Sequence, residues 1–489
     1  MSVTTVIKSI QDIMRKDAGV DGDAQRIGQL GWMLFLKIFD DQEQELEVTQ
    51  DGYKSPIPEK LRWRNWAADP EGITGEKLQK FINEDLFPTL KELSTKKGGK
   101  SPRGLVVQRV FEDAFNYMKN GTLVRQVVNK LNEIDFNRSS DRHTFNDIYE
   151  KLLKDLQSAG NAGEFYTPRA VTQFMVDMVD PKLNEHVLDP ACGTGGFLTC
   201  AIEHKRSKYV RNVEDRDTLQ SSFHGIEKKQ LPHMLCTTNM LLHGIEVPEQ
   251  IRHDNALGRP LKDYGPQDRV DVIITNPPFG GMEEDGIEQN FPSSFRTRET
   301  ADLFLVLIMR LLKDHGRAAI VLPDGFLFGE GIKTRVKEKL LEECNLHTIV
   351  RLPNSVFAPY TSIKTNLLFF EKGKPTKDIW YYEHRLPEGY KAYNKTRPMR
   401  VEEFEVVKKW WGGKTRKKRE ESEQAWCVDI KDIVANNYNL DIKNPHVGEQ
   451  VSHDPNELLQ QYAKQQNEIS DLRNQLKEIL QEALHRDEA

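Results

Sequence analysis

The chain has 489 residues, 38% of them hydrophobic and 29% charged, with a net charge of −6. That length exceeds one ordinary core, so two or three domains are expected, and the acidic balance excludes binding DNA by bulk charge alone. Five scattered cysteines, odd in number and without CxxC spacing, exclude a disulfide framework and a zinc site. They fit a reducing compartment. The first residues carry no apolar signal core and no long uncharged run could span a membrane, so a cytoplasmic location with no membrane partner is expected.

Residues 1–155 read as a helical N-terminal domain. In RIGQLGWMLFLKIFDDQEQEL, Ile27, Leu30, Leu34 and Ile38 recur at helical spacing, and VVQRVFEDAFNYM and TLVRQVVNKLNEI repeat the pattern. A basic, glycine-containing loop, STKKGGKSPRG, lies between helices at 94–104. From Gly163 onward β-branched runs alternate with helical stretches: EHVLD, FHGIE, VDVIIT, RAAIVLP, HTIVRLP, NLLFFEK. The alternation predicts an α/β domain over 156–430 with a mainly parallel sheet, its last two runs forming an antiparallel pair at one edge. KKWWGGKTRKKREESEQ, 408–424, reads most simply as an exposed connection; its cations and tryptophans also suit a nucleic-acid backbone or an acidic partner. Residues 431–489 form a C-terminal helical segment. Tyr462, Ile469, Leu476 and Ala483 are spaced by sevens, beside Leu458, Gln465, Leu472 and Ile479. Such a seam wants a partner helix, and packing on its own domain is the alternative.

HVLDPACGTGGFLTCAIEH, 186–204, is strand, glycine turn, helix. Gly193, Gly195 and Gly196 let the backbone turn tightly and approach a ligand, while Asp189 ends the strand. The NAD fingerprint GxGxxG is absent. An acid should end the second strand and accept from ribose hydroxyls; Glu227 in FHGIEKKQ is placed for it. Asp254 and Asn255 in IRHDNAL, after the third strand, are placed to touch an adenine ring.

The run VDVIIT ends in NPPFGG. Two prolines cannot donate to a sheet ladder, and they hold their carbonyls rigidly. Adenine's exocyclic nitrogen is a poor nucleophile because its lone pair is delocalised into the ring. Accepting both of its N–H hydrogens favours a more tetrahedral nitrogen. Asn276 offers a side-chain carbonyl, Pro277 a backbone carbonyl fixed by Pro278, and Phe279 a face for the base. Such a base must leave the duplex stack, and no metal is required. The polar stretch after it, MEEDGIEQNFPSSFRTRET, reads as a flap over the base or an ordinary loop, with Arg296 and Arg298 as phosphate contacts.

The order DPACGTGGF, acid, HDNAL, NPPF resembles the S-adenosylmethionine-dependent DNA adenine-N6 methyltransferases. GEFYTPR, 163–169, resembles the cofactor-closing motif of the methylase (HsdM-type) subunits of type I restriction–modification enzymes. The resemblance implies a Rossmann-like methyltransferase domain. It implies that Glu164, Phe165, Tyr166, Thr167, Pro168 and Arg169 contact the cofactor, together with Asp189 and Gly193 to Gly196, including Thr194. It assigns Glu227 to the ribose and Asp254 to the same cofactor. It implies duplex DNA as substrate, a separate specificity subunit, a second copy of the methylase subunit, and a restriction subunit carrying the ATP-driven motor. No GxxxxGK[ST] loop is present here. The rival readings are a stand-alone DNA adenine methyltransferase, a glutamine-N5 protein methyltransferase, and a catalytically silent scaffold. Phe279, where the glutamine-modifying family usually has tyrosine, argues against the second.

Overall fold

The computed structural model describes residues 3–93, 101–136, 167–358, 361, 363–394, 396–413 and 415–446, with the single positions 462, 466, 469, 472 and 473. The chain forms two compact units, Met1–Ile442 and Lys443–Ala489.

The helical part of the first unit is organised by Asp23–Thr49, whose residues from Gly28 to Asp41 are all buried. A helix covered on every side is a central one, and Leu30, Leu34 and Ile38 lie inside as their spacing predicts. Helices Val3–Met14, Pro102–Phe111 and Gly121–Leu131 share its core. The helix expected to run through VVQRVFEDAFNYM stops at Phe111. Side chains from elsewhere hold the backbone beyond it. The Gln29 carbonyl accepts from the Tyr117 and Met118 N–H groups at 2.7 and 3.2 Å, and Asp17 accepts from Lys119 and Asn120 at 3.0 and 2.9 Å. Arg103, from the basic loop, is buried. Its Nε donates to Glu43 at 2.7 Å and its guanidinium lies over Phe39, so it is an internal tie rather than a nucleic-acid contact. Positions 94–100 lie outside the described residues.

The strands are β1 (Val187–Asp189), β2 (Phe223–Glu227), β3 (Ile251–His253), β4 (Val270–Thr275), β5 (Leu312–Pro323), β6 (Cys344–Arg351), β7 (Thr365–Lys372), β8 (Asp378–Glu383) and β9 (Ala425–Asp429). They form one sheet in the order β3-β2-β1-β4-β5-β7-β6-β8-β9. Strands β1 to β5 are parallel, and β7 runs antiparallel between β5 and β6. The expected antiparallel pair is present, but it is interior: β8 and β9 continue the sheet beyond it. Alternate residues serve opposite faces. Val272 and Ile274 of β4 join the core beneath helix Arg169–Val179, while Val270 and Ile273 join the core beneath Thr300–Leu311. The sequence order reverses beside β1, which leaves a crevice beyond the carboxyl ends of β1 and β4.

Two stretches differ from the sequence expectation. The segment after β9 packs on the sheet: Leu440 is fully buried, its N–H donates to Leu327 at 3.0 Å, and Tyr381 donates to its carbonyl at 3.0 Å. The first compact unit therefore takes in residues up to Ile442, beyond the boundary drawn at 431. The stretch KKWWGGKTRKKR is folded as well. Lys408 pairs with Asp177 at 2.9 Å, Trp411 is buried, and Arg419 lies over the rings of Trp410 and Trp411. It is not a solvated linker.

Helix Gln230–Leu242 belongs to both parts of the unit. Its Met234, Leu235, Leu241 and Leu242 sit in the helical core, while Cys236 and Met240 sit under the sheet. Gln42 donates to the Leu241 carbonyl at 3.0 Å. Leu241→Ala should therefore loosen the two parts together, at a cost of about 2–5 kcal/mol. Urea unfolding followed by tryptophan fluorescence checks this; an unchanged midpoint would contradict it.

Candidate active site

The crevice is built from strand ends. After β1 the chain turns through Gly193 (φ 53°) and Gly195 (φ 86°), left-handed conformations that favour glycine. At Gly195 the space is also closed: a Cβ would lie 2.8 Å from Cys236 Sγ. At Gly193 a Cβ would meet nothing within 4 Å, which leaves that side open to a ligand. Helix Gly196–Tyr209 follows with no side-chain cap, so its first N–H groups face the turn. Asn239, buried on helix Gln230–Leu242, donates to the Thr194 carbonyl at 3.1 Å and braces the turn from behind.

Two carboxylates organise the strand ends. Glu227, closing β2, accepts from the Gly193 N–H at 2.9 Å and the Lys229 N–H at 2.8 Å. Asp254 follows β3 directly; its N–H donates to the Glu227 carbonyl at 3.0 Å and its side chain is exposed. Asp189, closing β1, is 1% exposed and accepts from the Ala191 N–H at 3.1 Å and the Thr275 hydroxyl at 2.6 Å. Burial raises its pKa to about 7, helped by the Glu227 charge and opposed by those two bonds.

The Asn-Pro-Pro-Phe corner begins where β4 ends. Asn276 Nδ2 donates to the Thr167 hydroxyl at 2.9 Å. Its Oδ1 is buried and has no hydrogen-bond partner among the described residues. An unmade bond on a buried carbonyl is unfavourable, and this one borders a cleft lined by Thr167, Asp189, Gly193, Thr194, Gly196 and Asn276. Thr172, Ala191, Cys192 and Phe197 complete the lining. The corner is anchored at its far end, where the Gly281 carbonyl accepts from the Thr300 N–H at 3.1 Å and its hydroxyl at 2.8 Å.

Four expected features take a different form in the structure. Phe279 is no open platform: it is 4% exposed and lies edge-on to Phe357, with ring centroids 6.1 Å apart. Arg169, the first residue of helix Arg169–Val179, pairs with Glu203 and is not among the cleft's lining residues. Pro168 precedes that helix and does not line the cleft. The stretch 282–299 is tied down rather than loose. Arg298 donates to the Glu283 carbonyl at 3.2 Å and pairs with Asp285 at 2.7 Å, while Arg296 donates to the Phe291 carbonyl at 3.2 Å. Lys228 pairs with Glu283 at 3.2 Å and clips this loop to the end of β2. Glu164, Phe165 and Tyr166 lie outside the described residues. Thr275 and Asn239 were not anticipated, because a threonine at a strand end and an asparagine within a helix carry no signal of their own.

Among the described residues no cluster of His, Cys, Asp and Glu is arranged to hold a metal, and no helix is long and apolar enough to cross a membrane. A sheet of this order, with a glycine turn after β1 and an acid ending β2, defines the class of S-adenosylmethionine-dependent methyltransferases. The family model for N-6 DNA methylase matches residues 140–454, and that for the HsdM N-terminal domain matches residues 3–131. The methylase subunit of type I restriction enzyme EcoEI, from Escherichia coli, is 66% identical over 486 residues, 99% of each chain. A solved modification subunit from Vibrio vulnificus YJ016 is 46% identical with a TM-score of 0.80, covering 91% of this chain and 96% of that one. A chain from a solved type I R–M system is 37% identical, also at a TM-score of 0.80, covering 98% of each. The chain belongs to the methylase (HsdM) subunits of type I restriction enzymes, within the N-6 DNA methylases. Its enzyme class is adenine-specific DNA methylation.

Asp189 yields a pH prediction. Its folded pKa lies above its unfolded value of 3.8. Its contribution to stability is full below that unfolded value and is lost as pH rises through about 7. Asp189→Asn keeps an acceptor for Thr275 without the charge. Relative to wild type it should gain stability as pH rises from about 4 to about 7 and then level off, measured by urea unfolding. A constant difference across that range would contradict the assignment.

Proposed function

We propose that this chain methylates adenine N6 on a base flipped out of duplex DNA, as the catalytic subunit of a complex whose sequence reader is a separate specificity subunit. The observation that carries the chemistry is the buried, unpartnered Oδ1 of Asn276 at the edge of the cleft. By accepting from Nδ2, Thr167 fixes which end of the amide meets the base. The Oδ1 then accepts one adenine N–H and the Pro277 carbonyl the other. The nitrogen lone pair is freed from the ring, with little reorganisation of the protein. Phe279 takes the face of the base once its edge contact with Phe357 opens.

Bound S-adenosylmethionine supplies an electrophilic methyl on a sulfonium. Glu227, held by the Gly193 and Lys229 N–H groups, is placed to accept from ribose hydroxyls. Asp254 sits beside it for the adenine end, and the uncapped first turn of helix Gly196–Tyr209 with the Gly193–Gly196 backbone receives the remainder. Glu164 to Tyr166 close the same site. A local excess of carboxylates at this end of the sheet also suits a cationic donor.

Partners follow from the family. A specificity subunit, a second methylase subunit and a restriction subunit complete the assembly, in the cytoplasm. The terminal segment is a candidate contact: Tyr462, Ile469 and Leu472 are helical and exposed.

The test incubates the chain with labelled cofactor and DNA, with and without the specificity subunit, and digests the product to nucleosides. N6-methyldeoxyadenosine should appear, and only with the partner. Site-specific methylation by the chain alone would support a stand-alone enzyme instead. Asn276→Ala should keep cofactor binding and lower turnover by about 10²-fold or more. Thr167→Val should lower turnover by about tenfold, the value of one misplaced hydrogen bond. Full activity in either variant would remove the amide from the mechanism.

A further inference from the structure

The folded basic stretch after Trp410 forms one wall of a second cleft, of about 600 Å³. Its floor includes Asn345 and His347 near the start of β6, and Asp378 and Trp380 at the start of β8. Strand β5 is parallel to β4, β7 is antiparallel to β5 and to β6, and β8 is parallel to β6. The starts of β6 and β8 therefore lie at the end of the sheet opposite Asp189, Glu227 and Asn276. This cleft is separate from the methylation site.

Its charge is one-sided. Lys374, Lys377, Arg416, Lys417 and Arg419 line it, with Asp378 the one carboxylate among the lining residues. In a chain of net charge −6 this is a local concentration. Arg419 is built into the wall. It is 8% exposed, its guanidinium lies 4.8 and 4.7 Å from the ring centroids of Trp410 and Trp411, and it donates to the carbonyls of Trp411 and His347, each at 3.1 Å. Its Nη2 is buried with no hydrogen-bond partner among the described residues. These partners are rings and carbonyls, none of them a carboxylate. Asp378, in the same lining, favours its charge from nearby without bonding to it; a buried guanidinium with an unmade bond is still unfavourable, and an anion in the cleft offsets that cost. Burial and the neighbouring Arg416 push its pKa down to about 9, so it remains cationic at neutral pH.

The turn that carries these cations is wound tightly. Gly412, Gly413 and Arg416 all have left-handed backbones, with φ of 77°, 69° and 57°. A Cβ on Gly412 would come within 3.2 Å of the Lys418 nitrogen. A left-handed arginine is costly and persists where the surroundings over-determine it; here Glu371 at 2.8 Å and His347 Nε2 at 3.1 Å hold its side chain. Burial and the two guanidiniums keep His347 well below its usual pKa, so the ring is neutral and accepts from Arg416. Trp380 adds an aromatic wall, edge-on to Trp410 at 5.8 Å. Cations beside an aromatic face, in a cleft of small-ligand size, match the phosphate and base of a nucleotide unit better than a run of carboxylates.

We propose that this cleft binds phosphate esters, supplied by the backbone of a nucleic-acid strand at a contact separate from the methylated base. The probe is a labelled oligothymidine, which has no adenine to enter the methylation site, titrated into the full chain and followed by anisotropy. Lys377→Gln combined with Lys417→Gln removes two exposed cations that line the cleft. Wild type should bind, and the double variant about tenfold more weakly. Its slope of log affinity against log salt should be shallower by about 0.7 for each cation removed. Inorganic pyrophosphate should displace the strand, and Asn276→Ala should bind it as wild type does. The thermal midpoint of the double variant checks its folding. Equal binding by wild type and the double variant overturns the proposal. So does displacement by a polyglutamate peptide but not by pyrophosphate, which would mark a protein ligand. Binding of pyrophosphate with no binding of the strand would overturn the nucleic-acid source and leave a small phosphate ligand.

Discussion

The hydroxyl of Thr275 meets the carboxyl of Asp189 at 2.6 Å, at the point where two neighbouring parallel strands end. One strand leads into the glycine turn and the other into the Asn-Pro-Pro-Phe corner. The reaction needs the two to face each other within a fraction of an ångström, since a misplacement of about 1 Å costs about a hundredfold in rate. Strand register alone sets the coarse position, with Leu188 opposite Ile273. The Thr275 bond fixes it at the tip, where the ladder has run out of partners. Glu227 repeats the device one strand further, holding the Gly193 N–H at 2.9 Å. Carboxyl groups at the ends of strands thus bind the loops that do the chemistry to the sheet that carries them.

This arrangement also sorts charge. Glu227, Asp254 and Glu283 gather at this end of the sheet, with Lys228 paired to Glu283. Arg296 and Arg298 each spend part of their guanidinium on their own loop and stay exposed.

Much of the site was legible because its signals are local. A glycine turn between strand and helix, an acid ending the next strand, and a proline-stiffened corner are each written within a few residues. Their order supplies the rest. What was illegible depends on distant partners. Phe279 lies at the right corner, yet Phe357 from a later loop covers it. Arg169 ends the GEFYTPR stretch, but a helix begins there and its guanidinium pairs with Glu203. The helix through VVQRVF ends because Gln29, far back in the chain, captures the backbone at Tyr117 and Met118. KKWWGGKTRKKR reads as solvated since its composition is polar, but two adjacent tryptophans enclose an arginine that composition leaves outside. The aromatic runs DIWYYE and AWCVD pair with each other and extend the sheet, with Trp410 packed against Trp380 and Tyr382.

Helix Gln230–Leu242 makes the glycine turn a mechanical dependent of the helical body. One of its faces lies in the core around Asp23–Thr49, and the other presses Cys236 against Gly195 and holds the Thr194 carbonyl with Asn239. A rigid rod seated in two cores transmits tilt, and it does so in both directions. A shift of that helix against the helical core would therefore carry the Thr194 carbonyl and the Gly195 turn with it.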